Sequence, residues 1–360
     1  MSETTTERPI EASRLEALAA QMVGHLTGAA VTAGVVLGDQ LGLYRTLDAC
    51  GVVTADGLAE RAGCHPRLVR EWLDGQAAAG LVEYEAAADT YRLTGEAAMI
   101  LADEDSPAFM AGGAASFQAM FHAVPKLLDA FRGDGGLPWG EHHPVMFESV
   151  ARFFRPGYRT NLVAEWLPAL DGLIPKLAVG GAVADIGCGF GHSCLLMAEA
   201  FPHAKVAGFD FHEPSIARAR QLASEAGLAE RVRYAPLDAT SYSGEFDLIC
   251  FFDCLHDMGD PVAVARHARE HLREGGSVML VEPFALPDRP ANLTANPAAA
   301  MYYHASTFLC TPCSLAQPGR AGMGAQSGPT RMGEVMAAAG FSRFEAVHTS
   351  PFNVVYQARP

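Results

Sequence analysis

The chain has 360 residues, 49% of them hydrophobic and 19% charged, which is material for a globular protein with room for two domains. Its formal net charge of -15 has the wrong sign for a protein that lives on nucleic-acid phosphates or anionic lipid. Residues 1–150 hold 9 Lys/Arg against 21 Asp/Glu, so the acidity is concentrated in the N-terminal part.

The opening residues, MSETTTERPIEASR, are polar and more acidic than basic, unlike the flank of a secretory signal. Residues 17–38 carry no formal charge, yet Gln21, His25, Thr27, Thr32 and four glycines make them a poor membrane span. Their small residues suit a closely packed helix pair, within one chain or across a dimer. No membrane association is expected; a homodimer built through the N-terminal domain is. Residues 13–48 read as two apolar helices. Thr54 caps a short helix that Gly63 stops, and a second helix opens at His65-Pro66 with Val69, Trp72 and Leu73 at helical spacing. Leu81–Tyr84 and Tyr91–Thr94 flank a turn over 86–89 and form a hairpin. Helix, turn, helix and hairpin in that order describe a winged helix-turn-helix. Helical runs over 107–132 and 144–176 lie on either side of the Gly/Pro-rich stretch 133–140. The expected division is a helical, winged-helix and dimerising domain over 1–140, a helical connector over 141–178, and a further domain over 179–360.

From residue 182 the pattern alternates. Strands are expected at 182–186, 205–210, 231–235, 246–252, 277–282, 342–348 and 352–358, with helices between most of them, which means a parallel sheet with crossover helices. Only Thr349-Ser350-Pro351 separates the last two strands, so one of them must run antiparallel. The expected fold is α/β: a Rossmann-like seven-stranded sheet with an antiparallel last strand, preceded by a mainly helical winged-helix domain.

The first strand runs straight into Gly187-Cys188-Gly189-Phe190-Gly191. Glycines there let the backbone turn tightly and approach a ligand closely. Dinucleotide binders favour GxGxxG, one residue wider, and Asp185 just before the turn would repel a pyrophosphate while suiting the ammonium end of an aminoacyl ligand. Spacing and charge therefore speak against a nicotinamide oxidoreductase. Asp210 closes the next strand, about twenty residues on, where an acid can accept bonds from both ribose hydroxyls; Phe211 follows it beside the same ligand. Asp238-Ala239 after the third strand can meet an adenine amino group. Asp253 ends the fourth strand on the same edge, where open α/β sheets bind ligands.

With these residues in place, 175–360 resembles the class I S-adenosylmethionine (SAM) dependent methyltransferase family, and the whole chain looks like a bacterial group that joins a winged-helix domain to such a catalytic domain. The resemblance implies methyl transfer from SAM, with Gly187 and Gly189 beside the cofactor and Asp238-Ala239 at its adenine. It also implies that the N-terminal domain mediates dimerisation and closes one side of the substrate site. Leu255-His256-Asp257-Met258-Gly259-Asp260 resembles the LHDWxD segment of small-molecule O-methyltransferases, with Met258-Gly259 in place of the Trp and its neighbour. By that match His256 is the general base, suited to the role because imidazole titrates near neutrality. A histidine that caps the next helix or lines the pocket remains the other reading.

The long segment 284–329, holding Met301, Tyr302, Tyr303, His304, Phe308 and Cys310, reads as an insertion that forms a lid or substrate wall. A small, partly apolar methyl acceptor is expected, and the residues leave open whether O, N or C receives the group. His142, His143 and His304 are the reserve candidates for a base. Eight irregularly spaced cysteines read as reduced thiols of a cytoplasmic protein. Cys310 and Cys313 have metal-ligand spacing, but zinc needs two more ligands and no second such pair exists, so packing is the reading and no metal is expected. The competing function is a SAM-sensing transcription regulator. Against it, the recognition helix sets Glu71 and Asp74 beside Arg67 and Arg70, the wing Glu83–Asp89 is acidic, and no nucleic acid is expected as a partner.

Overall fold

Helical spacing gives way to strand alternation near residue 180, and the computed structural model, which describes residues 10–360, follows that change. Two compact units meet between Gln118 and Ala119.

In the first unit α1 (Ala12–Gln40) and α2 (Leu43–Cys50) are separated at Gly42, whose φ of 68° breaks the helix. α3 (Ala55–Ala62) starts where the Thr54 hydroxyl accepts from Gly57 N at 3.2 Å and ends at left-handed Gly63. α4 (Pro66–Ala78) opens on a proline in its first turn. β1 (Glu83–Glu85) and β2 (Thr90–Arg92) form the antiparallel wing, and α5 (Gly95–Leu101) is capped by Thr94. Leu47, Leu58, Leu73 and Tyr91 fill this core. The helix-turn-helix and wing stand as expected.

α1 is long and apolar enough to cross a membrane by length and composition alone. Its side chains Leu15, Leu18, Met22, Val23 and Leu26 are each more than half exposed, between 55% and 61%. That stripe is an unsatisfied apolar face.

α6 (Ala111–Arg132) runs through the division between the units. The division between the units therefore falls inside a helix, whereas the domain limits expected from the sequence lie at 140 and at Val179-Gly180-Gly181, where glycines punctuate the chain. In the second unit follow α7 (Val145–Asn161), a π turn at Leu162–Trp166, and α8 (Leu173–Ala178). Then come β3 (Ala182–Ile186), α9 (His192–Ala200), β4 (Lys205–Asp210), α10 (Glu213–Glu225), β5 (Val232–Pro236), β6 (Phe246–Phe252), α11 (Pro261–Glu270) and β7 (Leu272–Pro283). The segment 284–329 carries α12 (Arg289–Ala295), α13 (Ala299–Ala305), a second π turn at Ser306–Cys310 and α14 (Thr311–Leu315). α15 (Gly328–Ala338), β8 (Arg343–Thr349) and β9 (Asn353–Arg359) close the chain.

The seven strands lie in the order β5-β4-β3-β6-β7-β9-β8, with β9 antiparallel to both neighbours and the other pairs parallel. The reversed strand is thus β9. All five residues of β3 are buried, as a central strand covered on both faces requires. One face packs on Trp166, Leu177, Met197 and Ile216, and the other on Val264, Ala265, Met332 and Met336. The chain moves outward from β3 to β5 and returns to the other side of β3 at β6, so a crevice opens at the carboxyl ends of β3 and β6.

Candidate active site

β3 delivers its last residues into the glycine turn at that crevice. Gly187 and Gly191 both have φ of 73°, and neither has room for a side chain: a Cβ at Gly187 would stand 2.9 Å from Cys254 Sγ, and one at Gly191 would collide with the Tyr234 ring. Gly189, at φ 52°, has nothing within 4 Å of its Cβ position and so presents an open backbone face. Asp210, ending β4, ties down this turn. Its Oδ2 accepts from Gly189 N at 2.9 Å and its Oδ1 from His212 N at 2.8 Å. Burial pushes its pKa up against these two bonds.

Asp185 is fully buried. Its Oδ2 accepts from the Ser193 hydroxyl and from Cys194 Sγ (3.3 Å), both on α9, while Oδ1 is buried without a hydrogen-bond partner. Burial raises its pKa to about 6, with the two α9 donors pulling the other way. Tyr158 of α7 bridges toward the next strand. Its ring centroid lies 5.2 Å from that of Phe252, and its hydroxyl, already raised by burial, is raised further by Asp253 and then Asp185.

Asp253 directly follows β6 and is a non-glycine residue with φ of 52°. Its backbone N–H donates to Val281 O at 2.8 Å, its Oδ1 accepts from Asn353 Nδ2 at 2.7 Å, and its Oδ2 is buried and unpaired. Burial and the neighbouring Glu282 hold its pKa well above the carboxylate range. Such strained backbone persists where surrounding bonds over-determine it, commonly at functional sites. Cys254 follows, its Sγ 3.2 Å from Ile186 O, which joins the end of β6 to the glycine turn.

A single 3-10 turn, Leu255–Asp257, then presents His256, 2% exposed. Nδ1 pairs with Glu282 Oε2, and Nε2 lies 3.1 Å from Asp257 Oδ1. Burial opposes a charged ring here, but Glu282 and then Asp257 outweigh it, and the His256 pKa lies well above the usual range. The helix that follows is capped by Asp260, whose Oδ1 accepts from Ala263 N at 2.9 Å, so His256 does not serve as its cap. The segment 284–329 is fastened to this turn. Gln317 Nε2 donates to Asp257 O at 2.9 Å, Gly259 N donates to Gln317 Oε1 at 3.1 Å, and the Ser314 hydroxyl donates to Met258 O at 2.8 Å.

Asp185, Gly187, Gly189, Gly191 and Asp210 thus form one group, and Asp253 with His256 a second, joined through Cys254. Asp238, Ala239 and Phe211 stand apart from these contacts. Asp238 is exposed and turns Oδ1 back to Thr240 N (2.9 Å) and Thr240 Oγ1 (2.7 Å), while Phe211 is 53% exposed. Among the reserve histidines, His304 is exposed and His143 stacks on His122 with centroids 4.2 Å apart. His142 is buried 3.7 Å from Cys313 Sγ, and burial and then Lys126 push its pKa down to about 4. Sequence reasoning missed Glu282, Asp257, Tyr158 and Asn353 as parts of the site. Two of them left a trace there: Asp257 stands in the LHDWxD-like segment, and Glu282 is a charge closing the apolar run Val278–Val281.

Residues 177–340 match the family described as Methyltransferase domain, and residues 29–103 the Rv2258c-like winged HTH domain. Over 178 residues the chain is 35% identical to 27-O-demethylrifamycin SV methyltransferase of Amycolatopsis mediterranei (strain S699), a stretch covering 48% of this chain and 62% of that protein. The chain thus spans less than two thirds of the length of the curated relatives it matches. The structure of mitomycin 7-O-methyltransferase is similar with a TM-score of 0.69 at 21% identity, covering 97% of this chain and 100% of that one. Human N-acetylserotonin methyltransferase in complex with SAM gives 0.70 at 20% identity, covering 100% and 99%. Likeness at these identities shows the shared fold. The chain joins an N-terminal winged helix-turn-helix domain to a methyltransferase domain of the SAM-dependent family.

Proposed function

We propose that this chain transfers the methyl group of SAM to an oxygen of a small, partly apolar acceptor, with His256 as the general base. One observation carries the reading: a buried imidazole at the carboxyl edge of the sheet, held between Glu282 and Asp257, sits one residue-turn beyond the strand that touches the glycine turn. The cofactor half fits its ligand. Asp185 Oδ1 is a buried acceptor without a donor, the complement of an ammonium group, and Gly189 offers an open backbone face. Asp210 would accept from the ribose hydroxyls while fixing the turn, with Phe211, Asp238, Ala239 and Asp253 along the same edge.

SAM supplies a methyl group already activated on a sulfonium. The chain's task is to orient the acceptor and to take its proton. Nε2 holds a proton while it pairs with Asp257. Because Glu282 fixes Nδ1 as a donor, Nε2 is the nitrogen that accepts once that proton has left to solvent, with the acceptor hydroxyl in the place that Asp257 now fills. As the ring gains the proton, Glu282 and Asp257 stabilise the imidazolium, the same role a buried carboxylate plays beside the histidine of a hydrolytic triad. The aromatic side chains of 284–329, Tyr302 and Phe308 among them, suit an apolar acceptor body. Relatives named for rifamycin and mitomycin O-methylation support an oxygen acceptor.

The exposed stripe of α1 supports a homodimer through the N-terminal domain. Its winged helix is not read as a DNA binder, because Arg67 pairs with Glu71 and Arg70 with Asp89 at 3.0 Å, which leaves these cations neutralised.

The test is incubation of the full chain with methyl-labelled SAM and a metabolite extract, followed by mass spectrometry. A labelled small product whose methyl ester or ether is absent with His256→Ala supports the reading. SAM binding with no labelled product, together with retention of duplex DNA, would instead support a regulator.

A further inference from the structure

Three side chains of the second unit converge beside the site. His256, Asp257 and Cys310 each offer one ligand atom, and the three atoms lie within 4.8 Å of one another. His256 and Cys310 are 2% and 5% exposed, and Asp257 is partly buried. In the sequence, Cys310 is half of a CxxC pair without further ligands. The fold supplies them, because Ser314 and Gln317 bind the backbone of the turn that follows His256 and so lay the second π turn against it. Cys313 faces elsewhere, with Sγ 3.7 Å from His142 Nε2.

The surroundings have the form of a metal site. Glu282 holds Nδ1 of the ring, the carboxylate-histidine arrangement that fixes the tautomer of a ligating imidazole and raises its basicity. Asp257 Oδ1 is buried 3.1 Å from Nε2, with which it pairs when the ring is protonated. Imidazole, thiolate and carboxylate together are donors that zinc accepts, with a fourth position left for water. Magnesium and calcium call for oxygen donors throughout and do not fit.

We propose that His256 Nε2, Asp257 and Cys310 Sγ bind a zinc-like divalent cation, with Glu282 orienting the histidine from behind. On binding, the cation replaces the proton on Nε2 and the thiol proton of Cys310, and both protons leave to solvent. Such a cation takes the lone pair that methyl transfer needs, so the site is inhibitory. That consequence alone rests on the role proposed for His256; the binding does not.

The test uses the full-length, reduced, chelator-treated protein without SAM, titrated with Co2+ and then with Zn2+. The expected result is one Co2+ per chain, with a thiolate-to-cobalt charge-transfer band that Zn2+ abolishes. Cys310→Ser should lose the band and weaken Zn2+ binding by at least about tenfold, while Asp257→Asn keeps the band and also weakens Zn2+. Cys313→Ser should match the wild type. Absence of the band in the wild-type protein overturns the proposal, as does a band that survives in Cys310→Ser or vanishes in Cys313→Ser. Methyl transfer by the metal-free protein is assayed separately, so a failed titration leaves that activity standing and a missing activity leaves the titration standing.

Discussion

His256 Nδ1 and Glu282 Oε2 face each other although 26 residues separate them, because β6 and β7 run parallel with Phe252 paired to Val281. The pair leaves a buried ring with one nitrogen committed and the other turned to Asp257. Replacing His256 by Ala should lower turnover about 10²–10⁴-fold, the usual contribution of a positioned base, with SAM affinity nearly intact. Glu282→Gln keeps an acceptor opposite Nδ1 but removes the charge that stabilises the imidazolium, so turnover should fall by a smaller factor. Steady-state kinetics with calorimetry on the same preparations checks both; turnover within about threefold of wild type in His256→Ala would remove the base.

SAM affinity should depend on pH through Asp185. Its pKa is about 6 because burial disfavours the charge, and only the carboxylate can pair with an ammonium group. Affinity should therefore be flat at neutral pH and weaken as pH falls through about 6, by up to about tenfold per pH unit below it. Asp185→Asn should bind weakly at every pH, with no such slope. Calorimetry from acid to neutral pH checks this, and a slope that persists in the variant would assign it to another group.

Asp210 holds the turn as well as its ligand, through Gly189 N and His212 N. Asp210→Ala should weaken SAM binding by about 1.5–3 kcal/mol, the loss of hydrogen bonds to a charged group. It should also lower the melting temperature of the free protein, since two backbone donors lose their acceptor. Unchanged affinity by calorimetry would take Asp210 out of the cofactor site.

Assembly should respond to charge on the α1 stripe. Leu18 and Leu26 are 57% and 60% exposed, so the wild type should run as a dimer in light scattering and a Leu18→Glu, Leu26→Glu double variant should fold and run as a monomer. Deleting residues 1–50 is a poorer test, because Leu43, Tyr44 and Leu47 belong to the core of the first unit. A double variant that remains dimeric would place the interface elsewhere.

Duplex DNA should not be retained in a gel shift at micromolar protein and low salt. Arg70 is held by both oxygens of Asp89, at 3.1 and 3.0 Å, so the recognition helix has little free cation to offer. A band that weakens steeply with salt would overturn this expectation.

What the sequence determined by itself is local. The glycine turn, the acid at the end of β4 and the hairpin Phe341–Arg359 are each written in neighbouring residues, because positive φ, strand alternation and a three-residue link are constraints on contiguous backbone. The winged helix was legible for the same reason: Thr54, Gly63 and Pro66 act on the helices they adjoin. The division between the units was not, since α6 continues across it as one helix. Nor were the partners of His256. Glu282 reaches it through the register of two strands, and Cys310 reaches it because side chains of a long insertion bind the backbone beside it. Such juxtapositions depend on packing between segments far apart in the chain. A motif can name the histidine, but only the folded sheet edge decides which charges surround it and how strongly it holds a proton.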